Sequence, residues 1–147
     1  MKTTALANLP NCLIVDTERG SDYLDALKVQ INSIADINEL CKALKAANCP
    51  YDFIAIDTIT MLEEVCKPLA LKLYQATPAG ANFNGEITSA ANGAGWGFLR
   101  QAVEMVIDKI ESCTRNIVLV CHCKDAAIDK SDLTIKQIDL SGKIFVC

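Results

Sequence analysis

Three short apolar runs, each ending abruptly in a polar group, constrain the fold of this chain more than any other feature. Cys12-Leu13-Ile14-Val15 stops at Asp16, Phe53-Ile54-Ala55-Ile56 at Asp57, and Ile117-Val118-Leu119-Val120 at Cys121-His122. A strand with one wet face alternates apolar and polar side chains, whereas these runs are apolar throughout. Such a pattern suits parallel strands covered on both faces.

Between the runs the hydrophobic period changes to that of a helix. Ile37, Leu40, Cys41 and Leu44 share one helical face, behind an Asp36…Glu39 pair at capping-box spacing. Leu62, Val65, Cys66, Leu69 and Leu73 trace a second stripe behind Thr60…Glu63, in a helix that Pro68 should kink or split. Trp96, Leu99, Val103, Val106 and Ile110 repeat at 3-4-3-4 spacing and predict a third helix. Residues 27–31 read as a weaker strand. Residues 133–140 alternate and also read as extended, ahead of the turn Ser141-Gly142-Lys143. Residues 76–95, with Pro78, Gly80, Gly85, Gly93 and Gly95, form the longest predicted loop. Strands alternating with helices give an α/β domain with a mainly parallel sheet, and residues 1–147 suit a single domain.

Composition narrows the classes further. Apolar residues make up 51% of the chain, which opposes disorder, yet no run approaches the ~20 residues that span a bilayer. No continuous hydrophobic region of the secretory kind precedes Asp16, so a soluble cytoplasmic protein is expected. The net charge of -4 opposes a broadly basic nucleic-acid surface. Of the eight cysteines, Cys12, Cys66, Cys121 and Cys147 fall inside apolar or helical patterns, where a reduced thiol acts as a small hydrophobe. Cys121-His122-Cys123 is the only cluster resembling a metal site. With no second CxxC or HxxxH to complete four ligands, zinc is not expected.

In open α/β sheets ligands bind beyond the carboxyl ends of the strands. Asp16 with Glu18, Asp57 with Thr58, and His122 with Lys124 all fall there. Each group also has an ordinary use as a turn or cap residue. Residues 51–58, Tyr-Asp-Phe-Ile-Ala-Ile-Asp-Thr, resemble a Walker B strand. Asp16-Thr17-Glu18-Arg19-Gly20-Ser21 resembles the RecA-like strand end that carries a glutamate two residues after an aspartate. His122-Cys123-Lys124 resembles the polar tip of a sensor strand, and Leu140-Ser141-Gly142-Lys143 a late Leu-x-Gly-Lys. Lys2-Thr3-Thr4 resembles the end of a Walker A motif, with Met1 where its last glycine would stand. The chain is thus similar to RecA-like P-loop NTPases, most of all to phage-type recombination and annealing ATPases.

The resemblance implies a three-layer RecA-like core, here without its first strand and phosphate loop, that uses ATP and Mg²⁺. Asp57 and Thr3 would hold Mg²⁺, Lys2 and Thr4 would belong to the phosphate loop, Glu18 would orient the attacking water, and His122 would sense the γ-phosphate. Single-stranded DNA and further copies of the same chain would be partners, in a phage-infected or bacterial cytoplasm. Residues 76–95 and 123–133 would be the DNA-facing loops, with Phe83 as a candidate base-stacking ring. Because the glycine cradle is not represented, Mg-ATP binding is expected to be weak. The sheet edge near residues 117–121 is expected to be covered by residues 133–140 or by another chain. The alternative reading is a non-catalytic α/β interaction module that does not bind nucleotide.

Overall fold

Cys12, Leu13, Ile14 and Val15 have no polar side chain to turn toward water, so the strand they form must be packed on both faces. In the computed structural model, which describes Leu6 and residues 8–18, 26–127 and 134–138, all five residues of β1 (Cys12–Asp16) are buried. β1 lies between β2 (Lys28–Gln30) and β3 (Phe53–Asp57), and β3 pairs in turn with β4 (Asn116–Val120). The order is β2-β1-β3-β4 and every pairing is parallel. The expected α/β fold with a parallel sheet is therefore present.

Three long helices among the described residues connect β2 to β3 and β3 to β4: α1 (Ile34–Ala46), α2 (Ile59–Gln75) and α3 (Ala94–Glu111). One apolar cluster joins Leu13, Val15, Ile54 and Ile56 to Ile37, Leu62, Leu99 and Ile110, so all three helices cover the same face of the sheet. On the opposite face Cys12, Ile14 and Ala55 pack with Leu6. Burying each large aliphatic side chain contributes about 1.5–3 kcal/mol, which makes the helix-covered face the main source of stability.

Several local expectations need correction. Helix α1 starts two residues before Asp36, at Ile34, because Ser33 is its N-cap: the Ser33 hydroxyl accepts from the Asp36 N–H at 3.2 Å. The Asp36 carboxylate meanwhile accepts from the Asn32 N–H at 2.9 Å, so Asp36 closes the cap instead of opening it. Pro68 neither splits nor ends α2, which runs unbroken through it. It sits on the exposed side, where water can satisfy the carbonyl its missing N–H leaves. The buried stripe of α2 is Leu62, Cys66, Ala70 and Tyr74, one residue beyond the expected Leu69 and Leu73 at its end. Trp96 lies off the stripe of α3 and is 38% exposed.

Residues 76–93 hold two short 3-10 turns, Ile87–Ser89 and Ala91–Gly93, and pack tightly on the helices. A Cβ on Gly95 would stand 1.7 Å from the Ile87 carbonyl oxygen, so only glycine permits that approach. Phe83 meets Tyr74 edge-on with ring centroids 5.3 Å apart, and its carbonyl accepts from the Gln75 amide at 2.8 Å. Its ring is engaged inside the fold and is not a free stacking platform.

The chain beyond β4 also departs from expectation. Residues 123–127, placed above in a DNA-facing loop, form strand β5 (Cys123–Ala127). It pairs antiparallel with β6 (Thr134–Ile138) in a separate two-stranded sheet. The alternating segment therefore does not cover the edge of the main sheet: among the described residues β4 pairs only with β3, and Leu119 is 42% exposed.

Candidate functional site

Parallel pairing without offset brings the strand ends level. Asp16 is the register partner of Asp57, and Asp57 is the partner of Val120. The ladder continues one step past the strands, where the Thr17 N–H donates to the Asp57 carbonyl at 2.9 Å. Residues just beyond each strand consequently meet above the centre of the sheet. Glu18 follows β1, Thr58 follows β3 and caps α2, and His122 follows β4.

Glu18 is the hub of this meeting. Its Oε1 accepts a 2.5 Å hydrogen bond from the Thr58 hydroxyl and lies 2.9 Å from His122 Nε2. A carboxylate only accepts, so Nε2 carries the proton in this contact. The Glu18 N–H donates to Asp16 Oδ1 at 2.9 Å, which fixes the turn leading out of β1. Burial by itself would raise the Glu18 pKa. The bonds from Thr58 and His122 and the attraction of a charged imidazole outweigh it, against a smaller opposing push from Asp16, and hold the carboxyl below its ordinary value. Glu18 is therefore an ionised, oriented carboxylate with its side chain 33% exposed, open enough to meet a ligand.

Thr58 is 2% exposed and its hydroxyl makes no helix-cap bond, because it is committed to Glu18. Thr17 brackets its backbone: the Thr17 hydroxyl donates to the Thr58 carbonyl and accepts from the Thr58 N–H, each at 2.9 Å. The Asp57–Thr58 peptide is cis. The sequence placed Thr58 beside Asp57 at the ligand end of the sheet without a task of its own, and Thr17 only within the strand-end motif. The available sign was the repeated Asp-Thr, at residues 16–17 and 57–58, just where two buried strands end.

Of the residues expected at the site, Glu18 and His122 are thus in contact, and Asp57 stands beside Asp16 at the same level. Lys2, Thr3 and Thr4 lie outside the described residues, as does the segment 140–143. Residue 124 falls on β5. Among the described residues no group of three or more His, Cys, Asp or Glu is arranged to hold a metal through protein ligands alone. Mg²⁺ does not require one, since it keeps several waters and takes one or two carboxylates together with substrate phosphates. The oxygen donors at this rim suit such a hard cation. Cys12 and Cys66, by contrast, are core thiols: burial raises both, Cys66 to about 12, where no thiolate is available for chemistry or metal.

A parallel α/β sheet with acidic and hydroxyl groups gathered beyond its carboxyl ends belongs to the open α/β class, in which ligands bind in the crevice at that end. A family model described as AAA domain matches residues 2–145. The chain belongs to this AAA-domain family and is a P-loop NTPase by that membership. No curated protein and no solved structure matches the chain. Among the described residues no helix is long and apolar enough to cross a membrane.

Proposed function

We propose that the rim built by Glu18, Asp57 and His122 is the water-activating side of an ATP-hydrolysing centre. The observation that carries this reading is the convergence of Glu18, Thr58 and His122 from three different strand ends onto one ionised carboxylate. Glu18 orients the attacking water and draws on its proton, as a carboxylate in hydrogen-bond reach can. His122 donates from Nε2 and can exchange that donation between Glu18 and a terminal phosphate. Asp57 holds Mg²⁺ directly or through water, with Thr3 as its hydroxyl ligand and Lys2 and Thr4 on the phosphates. When bound, Mg²⁺ neutralises charge on the β- and γ-phosphates.

The resemblance of the strand-end motifs supports the finer assignment. The protein acts in phage-type DNA recombination or replication in a bacterial cytoplasm. Single-stranded DNA and further copies of the chain are its partners. The test is run at millimolar Mg-ATP.

Phosphate release is measured for the chain and for Glu18→Gln and Asp57→Asn. The expected result is Mg²⁺-dependent turnover that falls about 10²- to 10⁴-fold in Glu18→Gln, with nucleotide binding retained. Asp57→Asn should lose turnover altogether. Turnover persisting in Asp57→Asn would reject its assignment to Mg²⁺. Absence of any Mg²⁺-dependent nucleotide binding would favour the non-catalytic interaction module instead.

A further inference from the structure

Two donors reach Glu18 and both choose the same oxygen. The Thr58 hydroxyl and His122 Nε2 converge on Oε1, while among the described residues no partner holds Oε2. Each hydroxyl has a single proton to give. Thr58 gives its proton to Glu18, and Thr17 gives its own to the Thr58 carbonyl. The Thr17 oxygen then accepts from the Thr58 N–H, so one side chain grips the Thr58 backbone from both sides. These bonds span about 40 residues of sequence and tie the end of β1 to the start of α2.

We infer that Thr58, held by Thr17, is a positioning residue that fixes the Glu18 carboxylate through Oε1 and presents Oε2 to the reacting water. The inference rests on the hydrolytic role proposed for Glu18. The physical need is plain: a free glutamate side chain samples many rotamers, and a general base works only within hydrogen-bond reach of its proton. His122 alone cannot supply this constancy if its proton is lost or turned to phosphate. Thr58 is buried at 2% exposure, titrates nowhere near neutral pH and stays in place. The lowered carboxyl of Glu18 agrees with a donor that persists.

The test uses the chain's single histidine, whose ring gives an unambiguous NMR reporter. In the wild-type protein the Glu18 side-chain protons should show a nuclear Overhauser contact to the His122 ring, and the Glu18 carboxyl carbon a distinct shift. Thr58→Val should lose the contact and move the carboxyl resonance toward that of a solvent-exposed glutamate. Thr58→Ser, which keeps the hydroxyl, should restore both, a rescue that a purely packing role would not give. Thr17→Val leaves the Thr58 hydroxyl intact and should weaken the contact.

An unchanged Glu18 resonance and contact in folded Thr58→Val would overturn the proposal. Should that variant fail to fold, Thr58→Ser and Thr17→Val decide. Loss of the contact in Thr58→Ser, or a wild-type spectrum in Thr17→Val, would overturn it equally. In phosphate release, a positioning role lowers kcat about 10- to 100-fold in Thr58→Val with KM little changed. The two readings fail differently. Glu18→Gln inactive with Thr58→Val unaffected removes the positioning role alone, whereas Glu18→Gln fully active removes the hydrolytic reading while the Thr58 contact can still be seen.

Discussion

The middle of β1 and its last residues, within one short stretch of chain, obey different physics. Val15 is wholly buried and is held by non-directional apolar packing shared with Ile54, Ile56 and the helices above them. Three residues later Glu18 is one-third exposed and held by two hydrogen bonds of defined direction. The strand interior supplies stability and tolerates exchange among residues of similar volume. The strand ends supply little stability and tolerate almost no exchange, because each donor has one acceptor. The difference teaches that this fold separates the cost of standing from the geometry of acting.

The separation can be broken by experiment. Ile54→Ala, in the fully buried part of β3, should cost about 2–5 kcal/mol in urea unfolding through lost burial and a cavity. The Glu18–His122 contact should nonetheless survive in the folded fraction. Its disappearance there would show that core and rim are one unit. Gly95→Ala places a methyl against the Ile87 carbonyl and should cost about 1–3 kcal/mol by overpacking where the 76–93 segment meets α3. Ser33→Ala removes the cap of α1, remote from the rim, and should cost about 1 kcal/mol with phosphate release unchanged.

The smallest effect is a matter of pH. The Glu18 carboxyl is lowered, so its bonds to Thr58 and His122 contribute fully above the ordinary glutamate value. That contribution is lost as pH falls through the lowered folded value. Carbon-13 titration of the Glu18 carboxyl should show a midpoint below that of an unfolded control. A midpoint at or above the control would mean that burial dominates and that the rim is not held as described.

Much of this fold was legible in the sequence. Runs without a polar side chain announced the parallel strands, and a 3.6-residue period announced the helices between them. Both are local consequences of burial, and they appeared nearly where expected. The expected cover on both faces holds for β1 and the middle of β3 but not for β4, none of whose residues is buried, since among the described residues it pairs on one side only. What misled was the choice among polar residues. Asp36 and Thr60 looked like helix caps, but Ser33 and Thr58 hold those positions, since the pattern alone cannot say where a helix turns from its preceding loop. Phe83 looked available as an exposed loop aromatic, and the Tyr74 ring takes it. Residues 133–140 read correctly as extended, but pairing is a long-range choice, and β6 joined β5 instead of the open edge.

The site divides along the same line. The sequence by itself determined that Asp16, Glu18, Asp57 and His122 would lie at the ends of strands, because apolar runs fix where a strand must stop. Only the tertiary structure decided that Glu18 and His122, 104 residues apart, would touch, and that Thr58 would spend its hydroxyl on Glu18 instead of on its own helix. The reason is register. Parallel strands paired without offset bring their last residues level, and a hydrogen bond is made or missed within a few tenths of an ångström that no sequence pattern records.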